Sequence, residues 1–452
     1  MEPCLKRPLF LLQPDPPRRA GHALGRRAVG CVLGLWGALG TGTTAIGQCQ
    51  YEVATFQQDC PFPFPPAVTN LVGLNNKGQG CGSYTHCFVT IYNIPFVTEP
   101  NGQFTVLPFQ PGIESAFPSD LNDDGLVVGR VFGSGLASNF GFAWQDGEWT
   151  ILQPPPQGNW SEALACNNAG LIAGYWSNTS TGLMQACLWQ DGELIDLGPV
   201  LKSYYSLASD VNELGHVTGW IQASKAAHRH AFLYDGVNVI DLGPVQVPGG
   251  YTSEGAALND LDQVVGYGRV EDLTHQGGFV RRAFLWNDGI MTELGMLPGY
   301  EQAFASDISN DSQIIGHCEA LGVGVTAFLW SNGVLGELTA LISDQYDVTA
   351  AIANSINAGG QIACLGGLGP QQWSGGVILT PAASLEGDLT GDCEVDEADL
   401  GNLIGDWGAR NSPADFNNDG TVDGADLGIL LLNWDRVEMG RRPSAAANPP
   451  HT

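Results

Sequence analysis

The chain has 452 residues, 44% of them apolar and only 14% charged, with 61 glycines and 27 prolines. That length can bury more than one core, and the glycine content suits many tight turns. The formal charge is −29 and six of the eighteen Lys and Arg precede residue 28, so the body lacks the clustered cations that a nucleic-acid backbone requires.

A basic stretch ending at Arg26-Arg27 precedes the apolar run Ala28 to Leu39, and Ala45-Ile46-Gly47 forms a small-x-small pattern before Gln48. Residues 1–47 therefore read as a secretory signal, which places the protein outside the cell or at its surface. No later segment reaches the roughly 20 apolar residues of a membrane helix. Nine of the eleven cysteines follow the leader, in a setting where disulfides persist. Cys49 with Cys60, Cys81 with Cys87 and Cys166 with Cys187 are spaced as local pairs, and Cys393 is left over. None has CxxC spacing, which argues against zinc.

Residues 48–383 repeat one unit. Its anchor is Asn75, Asn122, Asn167, Asn212, Asn259, Ser309 and Asn357, at spacings of 47, 45, 45, 47, 50 and 48. Each anchor leads through a polar turn to an alternating strand such as Gln263 to Tyr267. An aromatic third strand follows, as in Ala283 to Trp286 or Ala327 to Trp330, and then a Gly-containing turn and a fourth strand. Short β-branched or aromatic runs bounded by Gly, Asn and Asp read as antiparallel strands. Asp146-Gly147, Asp191-Gly192, Asp235-Gly236, Asp288-Gly289 and Asn332-Gly333 have the chemistry of type I′ hairpins.

Four strands in 45 to 50 residues is the size of a propeller blade, so a mainly β fold of about seven four-stranded blades is predicted, with an open β-solenoid as the alternative. Tyr51 to Phe56 resembles a fourth strand without its first three, as ring closure by strand exchange leaves. Gly376 to Thr380 also resembles a fourth strand, which makes one strand surplus. The aromatic residues Trp144, Trp189, Trp286 and Trp330 read as packing between units.

These units also resemble the HAF extracellular repeat, through Asn167-Asn168-Ala169-Gly170, Val264-Val265-Gly266, His230-Ala231-Phe232-Leu233 and Asp241-Leu242-Gly243. That resemblance implies architecture, not an activity. The motif His stands only at His230. His228 and His230 lie two apart, facing one side if both sit on a strand. No nucleophile elbow, zincin motif or phosphate loop occurs. Acidic residues such as Asp123, Asp124, Asp260, Asp262 and Asp311 fall in predicted turns. A carboxylate pair converging in a central channel would favour an enzyme; small and amide residues there would favour binding.

From Glu386 a second pattern begins and occurs twice, 27 residues apart. The first copy carries Asp388, Thr390, Asp392, Glu394, Asp396 and Asp399; the second carries Asp415, Asn417, Asp419, Thr421, Asp423 and Asp426. Oxygen donors at loop positions 1, 3, 5, 7, 9 and 12 surround a hard cation, so two calcium sites are predicted. Leu400, Leu403, Ile404 and Trp407, against Leu427, Leu430, Leu431 and Trp434, supply a small apolar core. So few apolar residues imply folding that depends on the metal.

Residues 384–436 resemble a type I dockerin, since Asp399 and Asp426 replace the usual twelfth-position Glu and no entering helix is present. That resemblance implies a cohesin-like or cell-surface protein partner. Glu397-Ala398 and Gly424-Ala425 stand where many cellulosomal dockerins carry cohesin-contacting Ser/Thr pairs, and Cys393 stands where a loop glycine is usual. Residues 437–452 read as a disordered tail. The sequence thus points to a secreted, non-catalytic propeller that binds a partner, a carbohydrate included, and is attached through a calcium module. The alternative is a glycoside hydrolase or polysaccharide lyase carrying that module.

Overall fold

The protein's computed structural model describes residues 51–434 apart from 57–67, 87–88, 101–102, 276, 343–345, 370–372, 382–386, 388, 390–394, 396, 411 and 418. The leader at 1–47 and the tail at 437–452 therefore lie outside the described residues. No helix among the described residues is long and apolar enough to cross a membrane.

Among the described residues, twenty-eight strands form seven four-stranded antiparallel sheets, the blades of a β-propeller. The inner strands are Thr69–Leu74, Ser115–Leu121, Gly158–Cys166, Tyr205–Val211, Glu254–Leu258, Gln302–Ile308 and Val348–Ile356. Blade seven takes its outer strand from the N-terminus: Tyr51–Phe56 pairs with Trp373–Pro381, from Tyr51 opposite Pro381 to Phe56 opposite Gly376. Gly376 to Thr380 thus belongs to the third strand of that blade, and the apparent surplus disappears. Blade count and strand exchange both follow the sequence reading.

Each blade is built on one local device. All seven inner strands carry a bulge at the same place, between the residues four and two positions before the anchor. The bulge drives an inner-strand carbonyl against the second strand, where six blades place glycine. A Cβ on Gly266 would stand 2.0 Å from the Glu254 carbonyl oxygen, and one on Gly316 the same distance from that of Phe304. Gly129, Gly219, Gly266 and Gly316 in turn lie directly opposite Phe142, Phe232, Phe284 and Phe328, each fully buried. The Val-Val-Gly and Ala-Phe-Leu-Trp segments are therefore two halves of one contact.

The core is divided into seven apolar clusters, one at each junction between neighbouring blades. Trp189, with no exposed surface, packs beside Leu126 and Val128 of the preceding blade, as expected of inter-unit packing.

Outer hairpins at Asp146-Gly147, Asp191-Gly192, Asp288-Gly289 and Asn332-Gly333 have positive φ at both central residues, as type I′ turns require. Asp235-Gly236 differs, with positive φ only at Gly236. It lies in a longer loop whose Asp235 carboxylate accepts from the N–H of Val237 at 2.8 Å and from the Asn238 side chain at 3.1 Å.

Beyond the blades, helices Glu397–Gly405 and Gly424–Leu432 meet around Val395, Leu403, Ala414, Val422 and Leu430. The expected core is corrected in part. Leu403 and Leu430 are buried, but Ile404, Trp407 and Leu431 are about half exposed. Nine-residue helices bury a narrow stripe, and loop residues Val395 and Val422 fill the rest.

Candidate functional site

The inner strands converge on a channel. At the end where they turn into the second strands, its mouth encloses a cavity of about 310 Å³. Two residues before the anchors stand Gly73, Asp120, Ala165, Asp210, Ala257, Asp307 and Ser355. The bulge turns each aspartate toward the next blade. Asp120 accepts from the Cys166 N–H at 2.9 Å, Asp210 from Leu258 at 2.9 Å and Asp307 from Ile356 at 2.8 Å. The second oxygens of Asp210 and Asp307 accept from the N–H of the residue that follows each, at 2.8 and 2.7 Å. Ala165, Ala257 and Ser355 occupy the same position in the receiving blades, so carboxylate and small residue alternate.

These half-buried carboxyls face only the narrow channel, and burial pushes all three up. Asp120 rises to about 8, Asp307 to about 7 and Asp210 to about 6, while the main-chain donors pull the other way. Mutual repulsion adds to the rise, from Asp210 and Asp307 on Asp120 and from Asp210 on Asp307. Near neutral pH the trio therefore retains part of its protons.

The anchors form a second ring. The side-chain amide of each Asn donates to the anchor carbonyl of the next blade, at 2.9 to 3.0 Å, from Asn75 to Asn122 and onward until Asn357 returns to Asn75. Each amide oxygen meanwhile holds its own turn, as Asn212 does for the N–H groups of Leu214 and His216. A third ring lies one residue on. Asn76 N–H donates to Asp123, Asp123 to Asn168, Asn168 to Glu213, Glu213 to Asp260, Asp260 to Asn310 and Ala358 to Asn76. Among the described residues, no Lys, Arg or His lines the cavity; at its rim the Lys77 ammonium donates to the Asp123 carbonyl.

The mouth thus holds both the carboxylates that would favour an enzyme and the amides that would favour binding. The aspartates are engaged by main-chain donors on the neighbouring blade and so join one blade to the next. Sequence reasoning counted the anchors and passed over Asp120, Asp210 and Asp307. The signal was present as Ser119-Asp120, Ser209-Asp210 and Ser306-Asp307, in alternate units.

Two further expectations are corrected. Cys81, Cys166, Cys187, Cys318 and Cys364 are free and buried, so neither Cys81 with Cys87 nor Cys166 with Cys187 forms a bridge. Cys166 sits beside the anchor on an inner strand, whereas Cys187 takes a Phe position opposite Gly174 on a third strand. Cys49, Cys60, Cys87 and Cys393 lie outside the described residues. His228 precedes the strand His230–Tyr234 and stacks edge-on to Tyr251, while His230 pairs with Asp241 at 2.9 Å. The two histidines do not form a common site.

In the C-terminal segment Asp388, Thr390, Asp392, Glu394 and Asp396 lie outside the described residues. Asp399 is buried and accepts from the Leu389 N–H at 2.7 Å. The second loop is described from Asp415 to Asp426, residue 418 apart. Asp415 accepts from the N–H groups of Asp419 and Gly420, and Asn417 Oδ1 accepts from that of Asp419. Asp419 accepts from Thr421 N–H, and the Asp423 side chain from Ala425 N–H, capping the second helix. Asp426, fully buried, accepts from Asn417 and Asp423 at 3.2 and 2.9 Å. Burial raises the Asp426 carboxyl, but the donors at Asp423, Asn417 and Phe416 outweigh it and hold the group below its ordinary value. Among the described residues no three His, Cys, Asp or Glu side chains stand together at metal-holding distance.

Residues 158–368 match the model of a family described as "Protein of unknown function (DUF3466)". No HAF-repeat or dockerin family is found, so both resemblances drawn from the sequence are corrected. The residues that suggested the repeat are those the blade itself demands, the bulge-facing glycine and the Phe above it. The residues that suggested the second family are cation-donor spacings that any such loop would share. No curated protein matches the chain. Among solved structures, the β-propeller domain of the Trilobed protease from Pyrococcus furiosus is 12% identical, with 65% of this chain and 93% of that one covered and a TM-score of 0.42. A catalytically inactive variant of virginiamycin B lyase from Staphylococcus aureus, with quinupristin, is 14% identical, covering 73% and 100%, at 0.42. TolB from Acinetobacter baumannii is 10% identical, covering 62% and 61%, at 0.36.

Proposed function

We propose that the chain is an exported, non-catalytic β-propeller that presents its loops and channel mouth to a polar partner, and that a calcium-binding loop–helix pair at 384–436 attaches or assembles it. The observation that carries the non-catalytic reading is the engagement of Asp120, Asp210 and Asp307 by the N–H groups of Cys166, Leu258 and Ile356. Carboxylates whose oxygens are taken up by main-chain donors across a blade junction are held in place as structural links. Amides and carboxylates at the mouth suit hydroxyl-rich ligands, which makes a carbohydrate the ligand class and a cell-surface protein the attachment partner.

The calcium reading is supported by the second loop, where Asp415, Asn417, Asp419 and Asp426 are each held by main-chain donors in the order a cation loop requires. Calorimetric titration of the full chain with calcium tests it, with two sites expected; no heat of binding would remove the module from the proposal. A second reading, a polysaccharide hydrolase or lyase, is favoured by three carboxyls in one cavity. Turnover of any polysaccharide that is lost in Asp120→Asn or Asp307→Asn would replace the binding reading with that one.

A further inference from the structure

The rings at the channel mouth are not complete. Six anchors are Asn, but blade six carries Ser309, whose hydroxyl accepts from the Gln313 N–H of its own turn at 3.2 Å and which lacks the amide that the other anchors extend to the next blade. One position on, blade seven carries Ala358, which offers Asn310 no side-chain acceptor. Both omissions fall at the junction of blades six and seven. Among the described residues, the inner wall there is joined by the Asp307 carboxylate, bonded to the Ile356 N–H at 2.8 Å and to the Ser355 side chain. The neighbouring closure of blade seven on blade one has three amide links instead: Asn357 to the Asn75 carbonyl, Ala358 N–H to Asn76 and Asn354 to the Leu71 carbonyl.

Behind the incomplete wall the blades remain well packed. Ile315, Leu329, Leu338 and Ile342 meet Val348 and Ile356 in one buried cluster. Apolar packing resists separation of the blades but is indifferent to small rotations of a turn, whereas hydrogen bonds fix direction. We propose that the channel mouth is a hydrogen-bonded ring with one compliant sector, at the turns 309–312 and 357–360, and that the mouth widens there while the other six junctions hold their geometry.

Hydrogen-exchange mass spectrometry on the full chain tests this. Segments 305–312 and 354–360 should exchange about tenfold faster than their equivalents at 118–125 and 163–170, as local opening free energy dictates. The double variant Ser309→Asn with Ala358→Asn restores both bonds and should bring the fast segments to the common rate. Asn167→Ser should create a second fast sector at blades three and four, where Ala165 supplies no carboxylate. Equal exchange in all seven turns of the wild-type protein would overturn the proposal. So would a double variant, folded by circular dichroism, whose 305–312 segment exchanges as fast as before. Fast exchange at the blade seven to blade one closure alone would move the compliant sector elsewhere and refute this assignment.

Discussion

The side-chain amide of Asn357 donates to the backbone carbonyl of Asn75 at 2.9 Å, joining residues 282 positions apart. The same bond recurs at five other junctions, so a single residue type ties six of the seven blades to the next. Asn212→Ala should therefore lower stability by about 1–3 kcal/mol, since it removes a donor to Asn259 and leaves two turn N–H groups without their acceptor. Ser309→Ala, which loses one weak turn acceptor, should cost well under half of that. Thermal unfolding of both variants checks the ranking.

Gly266 faces the bulge carbonyl of Glu254, with Phe284 opposite. Gly266→Ala forces a Cβ into that oxygen and should destabilise by about 2–4 kcal/mol, in the range of a strained core. Gly289→Ala, at an open hairpin position where an added Cβ meets nothing, is strained only by its positive φ and should cost about 1 kcal/mol. Urea denaturation that ranked the two equally would contradict the bulge account.

The pH dependence of stability should carry the mark of the channel aspartates. The unfolded chain titrates them near 3.8, whereas in the folded state burial raises Asp120 to about 8 and Asp307 to about 7. Between those limits the folded state holds protons that the unfolded state has released, so this contribution to stability falls as pH rises. It is fully present below about pH 4 and lost above about pH 8. The melting temperature of Asp120→Asn should fall less between pH 5 and pH 8.5 than that of the wild-type protein. A wild-type profile rising across that interval, with the variant parallel to it, would argue against raised carboxyls.

Asp415→Ala with Asp426→Ala should remove calcium binding at the second loop and leave the melting of the propeller unchanged. Differential scanning calorimetry with and without chelator separates the two transitions. Loss of the propeller transition in the variant would place the domain boundary elsewhere than residue 384.

Cys81, Cys166, Cys187, Cys318 and Cys364 are buried, and burial pushes each thiol up from its ordinary value. A protonated, enclosed thiol is a poor nucleophile. None of the five should react with a thiol reagent in the native protein, and all five should do so in denaturant. Peptide mapping that found Cys166 joined to Cys187 would refute this.

The architecture was legible because its signals are local and repeated. Asn anchors, hairpin turns and a lone N-terminal strand fix the number of blades and the manner of closure. The channel wall was harder to read because Asp120 and Asp307 act across a junction, on main-chain groups about 46 to 49 positions away, and a bulge decides where they point. The pairs Cys81 with Cys87 and Cys166 with Cys187 failed for the opposite reason, since proximity in sequence was taken for proximity of sulfurs. Motif likeness misled in a third way: residues that geometry requires of a blade, such as Gly266 under Phe284, resemble a family signature without being one.

Alternation of carboxylate and small residue has a period of two, and the ring has seven members. No two-coloured necklace with an odd number of beads can avoid a pair of like neighbours. Here the mismatch falls at Ser355 and Gly73, on either side of the place where blade seven, completed by the N-terminal strand, meets blade one. Neither residue can send a carboxylate across, and Asn354 bridges the gap through its amide to the Leu71 carbonyl at 2.7 Å. The parity defect therefore falls on the flank of the blade that the N-terminal strand completes, and blades two to seven keep their strict pairing through Asp120, Asp210 and Asp307.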